Sequence, residues 1–587
     1  MEENTSWNLR DIFENEEDMK KMIKELIDYM DKLKLYRGKL GESVDYFYEC
    51  YSTLERAYEL FEKIYGYAML KYHQDMSNTD SIKMYKEAEK LASQFSEAES
   101  FISPETSKIS DERLEEYLKD ERNKGYEKTV RDIIKHKKHI LSEEVEAVIA
   151  SYGEVFSVAE NTYDVFTDTE FDFPSIIDDE GKELKMDSAI FARYLMDPSE
   201  NVRRQAFESM YSLYKRHINS ITELYLGRVK QMCISSRLRH YKSSLDMATN
   251  HDDSNELVYN TLVKAVNKYL PLNHEVLKIK AELLGKEKIH MYDTYVNKLA
   301  IEDEKISYDD AKKIVLGALN PMGEEYVNML KTAMDNRWID VYKRDNKRSG
   351  GYSMGVYGVH PYILLNYIDS SRDVSTLAHE LGHSMHTYFS NKNQNVINAN
   401  YTIMVAEVAS TVNEIILANY RIEHEQDKGK KMALINEQLD LIRATLVRQT
   451  MFAEFEEEVH AKVQSGESLN SDELNTIYGK LVEKYFGDFC IIDEEIKYEW
   501  ARIPHFYSPF YVYKYATGIT SAIVIASKIL SGEEGYVDKY INMLSKGGSM
   551  DSISLLRMVD VDLENAETYD VAFKYFETKI NELKNLL

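Results

Sequence analysis

Two imidazoles spaced four residues apart with a carboxylate between them can build a hydrolytic metal site. Such a set is His379, Glu380 and His383 in the stretch DVSTLAHELGHSMHTYFS, residues 373–390. In a helix the two histidines share one face, so both rings can converge on a single small ion, which is half of a zinc site. Glu380 lies one residue round from His379, beside the ligand stripe, where a carboxylate can act as general base on an attacking water without ligating the ion. A helix is supported by Asp373 or Ser371 as its cap and by the apolar stripe Leu377, Leu381 and Met385. Gly382 costs such a helix about 1 kcal/mol relative to alanine, which points to close approach of another backbone beside the metal.

A third ligand must come from elsewhere. The 26 residues from Leu381 to Ala406 contain no Asp or Glu, although the chain has 101 of them among 587 residues. The next carboxylate is Glu407, in the apolar run TIMVAEVASTVNEIILANY, where Glu407 and Glu414 share a helix face two turns apart. A carboxylate in such a run is costly unless paired or on a metal, so Glu407 is read as third ligand. The alternative, a helix surface charge, suits its Val and Ala neighbours poorly. Glu414 is read as acceptor for a ligand imidazole. His386 competes as a ligand but lies two turns from His379, roughly 10 Å along the axis, and is read as packing or as support for the ligands.

The elements that must hold these side chains are predicted to be mostly α. Gly at 24 and Pro at 8 are scarce for a chain of this length, while Glu, Lys, Leu and Met abound. Helical periodicity fills residues 17–100, and the texture changes at Pro104 and again in TEFDFPSIIDDEGKEL, with a short hairpin expected over 176–186. The expected organisation is an N-terminal helical region, 1–104, a small helical unit, 105–185, and a catalytic domain, 186–587. The main non-helical element is KRSGGYSMGVYGVHPYILLNY, 347–367, with four Gly between 350 and 358. Just before the metal helix, it can offer a strand edge to an extended peptide, and His360 within it is a candidate substrate contact.

The net charge of -28 argues against nucleic acid or an anionic membrane as partner. Within that balance KHKKH at 135–139 reads as a solvated helix face. The sequence lacks an uninterrupted apolar run of 18 residues, and the start, MEENTSWNLRDIFENEED, lacks a basic and then apolar pattern. Cys50, Cys233 and Cys490 are scattered and odd in number, so reduced, buried thiols and a cytoplasmic location are expected.

HELGH followed by AEVASTVNE resembles the oligoendopeptidase F branch of the thimet oligopeptidase family of zinc metallopeptidases. The resemblance extends through WNLRDIF, KIHMYDTYV at 288–296, NRWIDVY at 336–342, the block 347–367 and RIPHFYSPFYVYKYATG at 502–518. It implies two helical lobes enclosing a deep substrate channel, with a small β element beside a gluzincin-type metal helix. It also implies one Zn2+ per chain on His379, His383 and Glu407, with Glu380 catalytic. The 502–518 block resembles a substrate-binding loop whose His and Tyr stabilise the oxyanion. His505 and Tyr511 match these, with Tyr507, Tyr513 and Tyr515 as rival tyrosines.

The implied activity is hydrolysis of internal peptide bonds in short oligopeptides. Two other readings stay open: a zinc exopeptidase of carboxypeptidase type with the same ligands, and a helical peptide-binding scaffold without activity. Metal content separates the scaffold, and mapping of product ends separates the exopeptidase.

Overall fold

Caps fix where the first helices start. Asn15, Ser43 and Asn78 each turn a side-chain oxygen onto the free amides of the following turn, opening α1 (Glu16–Lys34), α2 (Val44–Gln74) and α3 (Thr79–Glu99). Their apolar stripes meet in one core in which Leu26, Leu33, Phe47, Ala57 and Ile64 are fully buried. The computed structural model describes residues 5–299 and 305–587; the first four residues of the amino terminus considered above lie outside that range. Among the described residues, no helix is long and apolar enough to cross a membrane. The chain is mostly α, with a few short strands.

Contacts divide the chain into two compact units, each assembled from three separate stretches. One comprises Met1–Lys138, Asp303–Arg421 and Ile525–Val561; the other comprises His139–Glu302, Ile422–Val524 and Asp562–Leu587. This division differs from consecutive segments ending at 104 and 185, because helices far apart in sequence share each core. The hairpin expected over 176–186 is present as Ile176–Ile177 paired antiparallel with Glu183–Leu184.

In the first unit a three-stranded sheet combines β1 (Ile339–Tyr342), β2 (Tyr352–Met354) and β3 (Tyr362–Tyr367). β3 is central, parallel to β1 and antiparallel to β2. Its near-continuous apolar run is buried at five of six positions, as a central strand requires. Asp340, 0% exposed, is held by Lys347 at 2.6 Å and by Arg344 at 2.8 Å. Lys347 also donates to the carbonyls of Asp340, Tyr342 and Leu365, tying β1 to β3 from inside. Trp7 adds a bond from Nε1 to the Ile363 carbonyl, 2.8 Å.

After β3 the chain enters α4 (Ser371–Asn393) and, beyond a short turn, α5 (Ile403–His424). The cap of α4 is Ser370, where the sequence favoured Ser371 or Asp373. Ser370 Oγ accepts the Asp373 N–H, and the Asp373 carboxylate accepts the Ser370 N–H in return, so Asp373 completes a reciprocal box.

In the second unit the helices Glu256–Leu283, Arg448–Gln464, Ser471–Phe486 and Ala566–Leu586 pack around a core rich in tyrosine. Many of these hydroxyls find partners inside rather than at the surface. Tyr259 donates to the Ala453 carbonyl at 2.6 Å, and Tyr478 donates to Glu499 at 2.5 Å. Glu499, 2% exposed, also pairs with Arg448 at 2.5 Å. The three cysteines are free and buried, and burial pushes the Cys50 and Cys490 thiols up to about 12.

Candidate metal centre and active site

α4 and α5 can bring their side chains to one point because their backbones nearly touch. A Cβ on Gly382 would stand 2.6 Å from the Ala409 carbonyl oxygen and 2.6 Å from Ser410 Cα. Only glycine fits there, which gives the interior glycine its physical reason. The crossing is locked by Asn413, which donates to the Ala378 carbonyl at 3.1 Å while accepting from the Tyr326 hydroxyl at 3.0 Å.

At this crossing His379, His383 and Glu407 converge. The two Nε2 atoms are 3.2 Å apart, and Glu407 Oε2 lies 3.6 Å from His379 Nε2 and 3.7 Å from His383 Nε2. The described residues contain one such group of three possible metal ligands. Donors bound to a tetrahedral zinc at about 2.0–2.2 Å stand roughly 3.3–3.6 Å from one another, so separations of 3.2, 3.6 and 3.7 Å are close to what that ion needs.

The surrounding groups orient the donors. His379 Nδ1 is 3.4 Å from Glu414 Oε2, which turns Nε2 toward the shared point. Burial disfavours a charged His379, yet Glu414, with smaller help from Glu380 and Glu407, outweighs it and raises the pKa. The His383 ring bonds the Ala406 backbone, and burial together with the His379 charge lowers its pKa. Ser410 Oγ donates to Glu407 Oε2 at 3.0 Å, a support that the sequence reading missed. Its signal was a hydroxyl three residues after a ligand carboxylate on the same helix. Glu407 itself is 39% exposed in its side chain, so its spacing, rather than deep burial, marks it out.

Glu380 is 6% exposed, and its Oε2 has no hydrogen-bond partner. Burial raises its carboxyl to about 7; His379 opposes the shift, and Glu407 and Glu414 add to it. The backbone leading into β2 covers this carboxylate, since a Cβ on Gly351 would sit 3.3 Å from Glu380 Oε1. A carboxyl group held near neutrality next to the donor set has the properties expected of a general base. His386 is 1% exposed, stacks on Tyr401 with centroids 3.5 Å apart, and is not one of the three converging donors.

Three sequence expectations need correction. His360 stacks on Trp338 at 4.4 Å, and its nitrogens are engaged by Asp11 Oδ2 at 3.0 Å and the Pro361 carbonyl at 2.8 Å, so it braces the fold instead of facing a substrate. Tyr507 is 2% exposed and stacked on Tyr163 at 4.4 Å. Tyr513 is 0% exposed, with its hydroxyl on Asp252 at 3.1 Å. Neither can reach a substrate from the core. His505, Tyr511 and Tyr515, in the second unit, form a separate group with ring centroids 5.5–6.2 Å apart; His505 is exposed and both tyrosines are half-buried.

The fold agrees with the comparisons. The family profile of Peptidase family M3 matches residues 193–575, and that of Oligopeptidase F matches residues 105–173. The chain belongs to peptidase family M3, and is a peptidase. It is 37% identical to oligopeptidase PepF of Bacillus subtilis over 99% of this chain and 87% of that protein. It is 34% identical to an oligoendopeptidase F homolog of Borreliella burgdorferi, over 100% and 98% of the two chains. A solved structure from Chlamydophila abortus superposes with a TM-score of 0.94 at 30% identity, over 100% of this chain and 98% of that one. Oligoendopeptidase-F from Enterococcus faecium gives 0.73 at 32% identity, over 97% and 99%.

Proposed function

We propose that this chain is a zinc-dependent endopeptidase of short oligopeptides, with one zinc held by His379, His383 and Glu407. The observation that carries the reading is the meeting of three donors from two helices at separations of 3.2, 3.6 and 3.7 Å. When bound, zinc supplies Lewis acidity, polarising the scissile carbonyl and bringing the pKa of water toward neutrality.

The protein's own groups do the rest. Glu380 takes a proton from the attacking water and returns it to the leaving amine. Glu414 keeps His379 in the tautomer that directs Nε2 at the ion, and Ser410 steadies the Glu407 carboxylate. His505 and Tyr511, assigned by the family resemblance, donate hydrogen bonds to the oxyanion, with Tyr515 as the remaining rival. Among the described residues β2 pairs only with β3, and its other edge is the part of the sheet suited to an extended peptide backbone. The three buried thiols accord with a cytosolic place of work.

The test is Glu380→Gln. It should keep its metal and lose about 100- to 10,000-fold in turnover; cleavage at more than a few per cent of the parent rate would sink the mechanism. Mass spectrometry of the products should find internal cuts in short peptides and little attack on intact casein. Stepwise release of terminal residues would instead favour an exopeptidase.

A further inference from the structure

The segment 503–515 has two faces. Phe506, Tyr507, Phe510, Val512 and Tyr513 are buried, while His505 is exposed and Tyr511 and Tyr515 are half-buried. The backbone reverses at Phe510, whose φ of 58° lies in the left-handed region that bulky residues avoid. Such a conformation persists only where its surroundings hold it.

Two sets of contacts do so. The Phe510 ring is gripped by His460, 4.5 Å away, and meets Tyr259 edge-on at 5.8 Å. Its backbone N–H donates to Glu456 Oε1 at 2.9 Å. Glu456 sits on the helix Arg448–Gln464, is 0% exposed, and its Oε2 has no partner. Burying a carboxyl group for a single accepted N–H is unfavourable unless that N–H must be held. Burial raises the group to about 8, against smaller opposing pulls from the Phe510 amide and Lys514, and so favours its uncharged form.

We propose that Glu456 is a positioning residue: by holding the Phe510 backbone from the core, it fixes the direction in which Tyr511 and its ring neighbours Tyr515 and His505 are presented to the substrate. The inference rests on the reading of Tyr511 and His505 as oxyanion donors. Nothing in the proposed chemistry touches Glu456 itself, so its effect must pass through the residue next to Phe510.

The experiment compares the full-length, zinc-loaded parent with Glu456→Gln, Glu456→Leu, Tyr511→Phe, His505→Ala and the double variant Glu456→Leu/Tyr511→Phe. Turnover and KM are read on one internally quenched peptide, with zinc content measured alongside. Glutamine retains an acceptor oxygen for the Phe510 N–H and should stay within about threefold of the parent. Leucine fills the space without an acceptor and should lower kcat about tenfold or more, leaving KM and zinc content nearly unchanged. In the Tyr511→Phe background the leucine change should do little further harm. If Glu456→Leu does not fold, Glu456→Asp, which withdraws the acid by one methylene, should show the same fall in kcat.

The inference is overturned if Tyr511→Phe is impaired while Glu456→Leu, or Asp in its place, turns over at the parent rate. It is equally overturned if glutamine is as damaging as leucine, or if the losses in the double variant simply multiply. Parent-like rates for both Tyr511→Phe and His505→Ala would instead remove the oxyanion reading, and this inference with it.

Discussion

The helix pair that carries the candidate metal donors and the aromatic segment 502–518 are both dense in candidate site residues, yet they yielded to sequence reasoning unequally. On α4 and α5 side-chain direction follows from a fixed period. His379 and His383, four apart, therefore meet at 3.2 Å, and Glu407 and Glu414, seven apart, both reach toward His379. In 502–518 a 3-10 turn at Pro504–Tyr507 and a left-handed Phe510 break any period. Two of the four tyrosines weighed there are core residues, and no spacing rule separates them from the half-buried pair. Regular backbone makes chemistry readable in one dimension; irregular backbone hides it until the fold is known.

The contrast can be broken or sharpened by substitution. The largest effect is expected at the helix crossing. Gly382→Ala would thrust a Cβ to within 2.6 Å of the α5 backbone, costing roughly 1–3 kcal/mol of stability and separating the donors. The variant should fold with a lowered melting temperature and lose most of its zinc and activity. A parent-like zinc content would mean that the crossing tolerates movement.

The next effect divides the loop tyrosines. Tyr511→Phe should lower turnover about 100- to 1,000-fold, as loss of an oxyanion donor does. Tyr507→Phe and Tyr513→Phe should alter kcat little, with the second losing about 1 kcal/mol of stability with its bond to Asp252. Equal kinetic damage at all three would erase the distinction between half-buried and fully buried rings. The smallest effect belongs to Glu414→Gln, which leaves the ligands in place but weakens the hold on His379 Nδ1. Zinc affinity should fall about 10- to 100-fold, measured by competition with a chelator.

How much was legible follows the same physical line. The helical class, the hairpin at 176 and the β element at 347–367 came from composition, Gly punctuation and periodicity. Gly382 was legible as a close approach because an interior glycine in a helix needs a cause. The partner backbone at Ala409 and Ser410 was not, since which helix crosses it is a tertiary fact. His360 looked available in a Gly-rich loop, but Trp338, 22 residues earlier, and Asp11, near the amino terminus, claim its ring and its Nε2. Ser410 was passed over because its value lies in one bond to Glu407 rather than in any pattern of its own. The assembly of each unit from three separate stretches was beyond reach for the same reason: local periodicity states which face is apolar, never which distant face will cover it.

The most direct test of the central claim is elemental analysis of the purified parent and of Glu407→Ala after identical zinc loading and dialysis. The account predicts close to one zinc per chain in the parent and little in a folded Glu407→Ala. A full equivalent retained by that variant, or none in the parent, would contradict it.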